Sequence, residues 1–204
     1  MSAGYCRILI IGVLAASLIP TVGAQPAFDK PNIAPDDFWQ FRVDREDGTA
    51  GRWSRRVLRD LGDNRLEVQY QSAQVHYYDH AMNYVGTEST GDVAEYARFP
   101  MRVGDSWSFA KRYSDPRYEK RGDSKVVAFE SVTVPAGVFD CFRVETRVSN
   151  ASPWSSTEVN LTRWHCPAIK WIAKQQYRTR TNSRIGLGSA SENTSELVRY
   201  KLAP

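Results

Sequence analysis

V-T-V-P-A-G-V-F-D-C-F-R-V-E-T, Val132 to Thr146, followed after a loop by L-T-R-W-H-C-P-A-I-K-W-I-A-K, Leu161 to Lys174, reads as three strands of one antiparallel meander. Pro135 pre-sets φ for the first central position of a type I turn. Gly137 supplies the left-handed conformation that follows, so the two predict a hairpin turn with a glycine bulge. Past the turn, Phe142, Val144 and Val148 alternate with Arg143, Glu145 and Arg147. That period of two marks a strand with one buried and one wet face. Asn150 to Ser156 contains Pro153 and reads as a turn, and Val159 to His165 reads as the returning strand. A hairpin centred between Pro153 and Trp154 sets Cys141 opposite Cys166, which is compatible with a disulfide. Such a bond would close about 25 residues and contribute roughly 3 kcal/mol on the loop-entropy argument.

The start of the chain points to export. Arg7 is the only charge in the first 24 residues, ahead of the apolar run Ile8 to Ile19, a break at Pro20 and the small residues that end at Ala24. An apolar core this short, followed by small residues, predicts a cleavable secretory signal; an uncleaved anchor is the alternative. Cys6 precedes the apolar run and would leave with the leader, so Cys141 and Cys166 are the cysteines of the mature chain. An even pair in an oxidising compartment favours a disulfide. The expected organisation is a signal peptide over 1–24, an extended lead-in over 25–37 and a single β domain over 38–204. The expected location is the periplasm or the extracellular space after cleavage near Ala24. No second apolar stretch is long enough for a transmembrane anchor in the mature chain.

The chain has 27 Lys and Arg against 23 Asp and Glu, a formal net charge of +4. The basic pairs Arg55-Arg56 and Lys111-Arg112 are isolated, whereas a nucleic-acid groove needs a concentrated stripe, so nucleic acid is not an expected partner. The remaining sequence is a procession of strand signals. Gln25 to Asp36 holds three prolines and is extended. Trp39, Phe41 and Val43 mark a first strand, and Trp53 to Leu61 and Arg65 to Gln71 flank a Gly62-Asp63-Asn64 turn. Val75 to Val85 reads as one aromatic strand, Gly86 to Asp92 as a loop, and Phe99 to Phe109 as a turn opening a strand. Lys125 to Val134 is apolar on both faces and reads as a central strand or a bulge. Trp171 to Arg178 continues the meander, Thr179 to Asn193 reads as a Gly/Ser/Asn loop, and Ser195 to Leu202 closes the chain. The fold class is all-β, an antiparallel meander, barrel or sandwich with little helix apart from the signal peptide.

Three segments carry a family resemblance. F-P-M-R-V-G-D-S-W-S (Phe99 to Ser108), V-P-A-G-V-F-D-C-F-R-V (Val134 to Val144) and W-H-C-P-A-I-K-W-I-A-K (Trp164 to Lys174) together resemble the domain-of-unknown-function 3108-like family of bacterial exported proteins. The resemblance spans roughly residues 84–202. It implies a curved antiparallel sheet, half-barrel or barrel in the cell envelope, distantly like the lipoprotein carriers that cradle acyl chains. It supplies no catalytic residues to carry over, and no cofactor.

Candidate chemistry is sparse. On a strand, His76, Tyr78 and His80 share a face, so the two imidazoles with Asp79 form a candidate metal site, for which His165 is the only further histidine. Cys141 and Cys166 lack Cys-x-x-Cys spacing, so a structural disulfide outweighs a redox or ligand role. Gly186-Leu187-Gly188-Ser189 matches neither a nucleophile elbow nor a dinucleotide fingerprint. The distinctive feature is aromatic: Trp39, Phe41, Trp53, Tyr70, Tyr77, Tyr78, Tyr84, Trp107, Phe109, Trp164 and Trp171 recur on successive strands. On a curved sheet some would line a concave face able to hold an acyl chain or a sugar ring, the alternative being a plain core. Trp39, Phe41, Trp53, Tyr70, Trp107, Trp164 and Trp171 are the candidate ligand contacts. The expected function is a non-enzymatic binding or accessory module of the cell envelope, with an apolar or acyl ligand or an envelope protein as partner. The alternatives are a small secreted hydrolase or metal-dependent enzyme using His76, Asp79 and His80, and a structural partner in an envelope complex.

Overall fold

The computed structural model describes residues 26–72, 74–86, 94–112, 117–184 and 186–204. The leader expected over 1–24 and most of the loop expected from Gly86 to Asp92 lie outside them. The described strands are β1 (Phe38–Arg45), β2 (Ala50–Asp60), β3 (Leu66–Tyr70), β4 (Gln74–Tyr78), β5 (Tyr84–Gly86), β6 (Ser106–Arg112), β7 (Glu119–Val134), β8 (Gly137–Ala151), β9 (Ser155–Cys166), β10 (Trp171–Ser183) and β11 (Ser189–Lys201). All belong to one antiparallel sheet in the order β5-β4-β3-β2-β1-β11-β10-β9-β8-β7-β6. Two meanders, β1–β5 and β6–β11, are thus joined where the first strand pairs with the last. The all-β expectation holds.

The central stretch folds as its pattern requires. Val134 pairs with Gly137 across Pro135-Ala136, and Gly137 has φ 139°, a value that favours glycine. Pairing resumes at once, so the expected bulge is not at the turn. The irregularity in β7 falls between Val126 and Ala128 instead. In the next hairpin Ala151 pairs with Ser156 and Phe142 with His165. This register brings Cys141 opposite Cys166, and the two are joined by a disulfide with Cα atoms 4.1 Å apart. Cys141 and Phe142 are successive strand residues, so they point to opposite faces, and both are buried, each in a different apolar cluster. β8 is therefore covered on both sides at this point.

Two sequence readings need correction. Val75 to Val85 is not one strand: β4 stops at Tyr78 and β5 starts at Tyr84. Between them Asp79 Oδ1 accepts from the backbone of Ala81 (2.9 Å) and Asn83 (2.8 Å), and Met82 takes φ 59°. An aspartate that satisfies its own downstream amides favours a turn over a ladder. Conversely, Thr179 to Asn193 is largely paired, with Thr179 opposite Ser191 and Thr181 opposite Ser189. The ribbon is polar on both faces, so it shows no period-two signal, and hydroxyl pairs such as Thr179–Ser191 (2.6 Å) replace apolar contacts.

The lead-in is fastened by a buried carboxylate. Asp37 accepts from the backbone amides of Ala34 (2.9 Å) and Ala203 (2.7 Å) and from Lys170 Nζ (3.3 Å). One side chain thereby ties the entry to β1, the 3-10 turn Pro167–Ile169 before β10, and the end of the chain.

Curvature follows from what lies across the two edges. Just before β5, Asn83 donates from Nδ2 to Ala97 O and accepts from Ala97 N, both at 2.8 Å. On β6, Trp107 donates from Nε1 to Glu95 O (2.7 Å). The segment 94–101 therefore bridges the two edge strands, which only a strongly curled sheet allows. Gly122 makes room at one side: a Cβ there would sit 2.2 Å from the ring of its register partner Phe109.

Replacing both cysteines, Cys141→Ala with Cys166→Ala, is expected to lower the unfolding free energy by about 2–4 kcal/mol. Urea denaturation of the oxidised wild type against the double variant measures this, and the same loss should appear when the wild type is reduced.

Candidate ligand-binding cavity

The curled sheet forms a partly open cavity of about 460 Å³ whose walls come from β2, β3, β4, β5, β9, β10 and the bridging segment. In a flat sheet β4 and β9 would stand six strand spacings apart, ~29 Å, yet here they line the same space.

The floor is aromatic. Trp53 stacks on Phe41 at 4.0 Å between ring centroids, and Trp171 meets Trp53, Phe41 and Trp39 edge-on at 5.9, 5.7 and 5.3 Å. Trp53 and Trp171 face the cavity, while Trp39 and Phe41 are fully buried beneath them. Polar ends are satisfied: Trp39 Nε1 donates to Ile169 O (2.8 Å) and Trp53 Nε1 to Ser195 Oγ (3.2 Å). A second wall stacks Tyr70 on His76 (5.2 Å), with Tyr84 edge-on to His76 (5.3 Å) and Tyr78 (5.6 Å).

Two guanidinium groups enter this space. Arg55 lies over the Tyr70 ring at 3.9 Å and donates from Nε to Tyr78 Oη (2.7 Å) and from Nη1 to Ser54 O (3.1 Å). Arg163 donates from Nε to its register partner Gln175 (2.9 Å) and sits over the Tyr96 ring at 4.8 Å. Burial lowers the Arg163 pKa and Arg55 lowers it further, although the Tyr96 and Tyr78 rings oppose this. His76 is held below the usual imidazole range by burial and then by Arg55. Burial likewise raises the Tyr78 phenol. The chemistry this allows at neutral pH is that of a neutral imidazole, neutral phenols and two cations.

Of the seven candidate ligand contacts named from sequence, Trp53, Tyr70 and Trp171 line the cavity, joined by Tyr78 and Tyr84 from the wider aromatic set. Trp39 and Phe41 support it from below. Trp107 belongs to the other apolar cluster, and Trp164 donates from Nε1 to Glu130 (2.8 Å) away from the cavity lining. The His76, Asp79, His80 set does not share a strand face, because β4 ends at Tyr78. His76 stacks in the cavity. His80 contacts Asn64 Oδ1 (3.1 Å) and Asp60 Oδ2 (2.9 Å) from the following turn. Among the described residues no group of three or more His, Cys, Asp or Glu is placed to hold a metal. Sequence reasoning missed Arg55 and Arg163. Arg55 was read as half of a solvated basic pair, and Arg163 gives no signal beyond sharing a strand face with Leu161.

A family model described as DUF3108-like matches residues 110–183. That bears out the resemblance carried by Val134–Val144 and Trp164–Lys174, while Phe99–Ser108 lies ahead of the matched segment. No curated protein matches the chain. The fold is similar to three solved structures. A Bacteroides fragilis protein described as exported, with a YmcC-like fold, is 18% identical, with a TM-score of 0.47 over 86% of this chain and 100% of that one. A Parabacteroides distasonis chain described as a lipoprotein is 14% identical, with a TM-score of 0.46 over 87% and 100%. The hypothetical lipoprotein YmcC of Escherichia coli is 12% identical, with a TM-score of 0.44 over 82% and 85%. No helix among the described residues is long and apolar enough to cross a membrane.

His165, two residues after Arg163 on β9, generates a pH prediction. It is buried, its Nε2 has no hydrogen-bond partner among the described residues, and burial and then Arg163 push its pKa from 6.5 down to about 3. Between those values the unfolded chain binds a proton that the folded chain excludes, so the neutral imidazole's contribution is complete above pH 6.5. It declines as the pH falls towards 3, by on the order of 5 kcal/mol in total. Chemical denaturation at a series of pH values should show this decline, and His165→Phe should flatten it.

Proposed function

We propose that the protein is an exported, non-enzymatic binding module of the cell envelope whose concave cavity takes an apolar-bodied ligand. The observation that carries this reading is the cavity itself. Two separate meanders converge on one aromatic-floored space of about 460 Å³, within the range typical of small-molecule sites. Its lining, Trp53, Arg55, Tyr70, His76, Tyr78, Met82, Tyr84, Tyr96, Arg163, Trp171, Ile172 and Gln175, offers flat rings and a few convergent polar groups. Its described lining contains no Ser, Thr, Cys, Asp or Glu, so neither an aliphatic hydroxyl or thiol nucleophile nor a carboxylate base is among the described residues that face the ligand. Export rests on the leader expected at the start of the chain and fits the disulfide, which persists in oxidising compartments.

The reading predicts that protein purified without reduction from its export compartment begins just after Ala24. It also predicts that this protein binds an uncharged naphthyl probe with a rise in probe fluorescence. Trp53→Ala is expected to weaken that binding about tenfold, through loss of ring contact on the cavity floor. Native mass spectrometry supplies the mass of the mature chain and of any ligand carried through purification. Absence of probe binding, together with a co-purifying protein, would move the assignment to a structural partner in an envelope complex.

A further inference from the structure

We propose that the cavity selects a small ring-bodied ligand bearing an oxyanion, a carboxylate or a phosphate, gripped between Arg55 and Arg163. This rests on the cavity being a ligand site and adds the class of ligand. Three observations support it.

The first is charge without a counter-charge. Arg55 and Arg163 line the same cavity, Arg55 adds to the lowering of the Arg163 pKa, and neither forms an ion pair with a carboxylate among the described residues. Elsewhere on the sheet several arginines meet an acid, as with Arg42–Glu196, Arg59–Glu67 and Arg178–Glu192. Two like charges in a partly dry site are unfavourable unless something neutralises them.

The second is unused donors. Arg163 uses Nε on Gln175, and Arg55 uses Nε on Tyr78 and Nη1 on Ser54. Both terminal nitrogens of Arg163 and Nη2 of Arg55 have no hydrogen-bond partner among the described residues. Gln175 holds Arg163 by its inner nitrogen and leaves both outer ones without a partner among the described residues, whereas Tyr78 and Ser54 leave Arg55 only Nη2. The outer pair of Arg163 is the fork that carboxylates and phosphates accept in bidentate fashion.

The third is the body of the site. Trp53, Trp171 and Tyr84 present flat surfaces, and Tyr96 and Tyr70 hold the two guanidinium planes by cation–π contact. A volume of about 460 Å³ lies towards the lower end of small-molecule pockets. It suits one ring system with its charged substituent, not a lipid with two acyl chains.

The test uses the whole mature protein and a matched set of probes: naphthoate, naphthyl phosphate and the uncharged naphthamide, with inorganic phosphate as competitor. Titration calorimetry should show at least one of the anionic probes binding ~10- to 100-fold tighter than naphthamide, the gain expected from one or two charge-assisted hydrogen bonds. The stronger of the two names the oxyanion. The double variant Arg55→Gln, Arg163→Gln should lose that preference, the affinities for the anionic probes falling to within about threefold of its own affinity for naphthamide. Should that variant not fold, Arg163→Lys keeps the charge but removes the fork, and it should reduce the preference by itself. Equal binding of naphthamide and both anions by the wild type overturns the oxyanion assignment and leaves the binding module intact. Displacement of the anionic probes by inorganic phosphate at equal concentration overturns the ring-bodied part. Failure of all three probes to bind overturns the cavity reading, and this proposal with it.

Discussion

The antiparallel pairing of β1 with β11 is the constraint on which the architecture depends. Every other neighbour in the sheet follows its predecessor through a hairpin, which requires only local closure. β1 and β11 lie at opposite ends of the described chain, and their ladder runs from Phe38 opposite Lys201 to Arg45 opposite Asn193. Without it the two meanders would be separate sheets, each with a further open edge. A contact of such separation carries a large closure entropy before it contributes anything. The compensation is local and dense. Phe41 and Leu197 are register partners and both fully buried, Trp39 packs against Trp171 of the neighbouring β10, and Asp37 binds the backbone of Ala203. The seam between the halves also carries four rings in mutual contact, Trp39, Phe41, Trp53 and Trp171.

That seam explains why the cavity is where it is. A twisted sheet this wide curls, and the 94–101 segment sets how far by holding Asn83 near β5 and Trp107 on β6. Filling the concave side completely would need bulky apolar residues on every inward position. Trp53 and Trp171 occupy the centre, but Arg55, Arg163 and Gln175 take inward positions around them. Polar side chains with long stems line the space rather than fill it, since their heads seek partners instead of interdigitating. The hollow is thus a consequence of residue choice on a curvature that the edges impose.

The fold was legible wherever one face of a strand is dry and the other wet. Alternation around Phe142, Val144 and Val148, with a turn centred between Pro153 and Trp154, is compatible with Cys141 opposite Cys166, the pairing that the register shows. Legibility failed at two kinds of place. The β10–β11 ribbon is wet on both faces beyond Thr179, so alternation vanishes although the ladder continues. At Asp79 the aromatic content of Tyr77, Tyr78 and Tyr84 suggested continued strand, but the carboxylate's bonds to Ala81 and Asn83 turned the chain. The site was only partly visible for a related reason. Trp53, Tyr70 and Trp171 stand out as large rings, whereas an arginine's role depends on whether a carboxylate lies near it in space. Arg42 and Arg55 are equivalent in sequence, yet one meets Glu196 across the β1–β11 seam and the other meets only rings, a phenol and a carbonyl.

The same comparison bears on why the arrangement persists. An inward arginine without a carboxylate lowers stability relative to a well-packed apolar residue of similar volume. Here two such residues share one space, alongside an imidazole kept neutral by burial and by Arg55. Stability alone would favour replacing them or supplying an acid, and the pairs Arg42–Glu196, Arg59–Glu67 and Arg178–Glu192 show acids supplied elsewhere on the sheet. A pair of inward arginines without an acid among the described residues, set in an aromatic-floored hollow in which both halves of the sheet meet, is what a site under functional constraint looks like. The missing negative charge is then most simply the ligand's own.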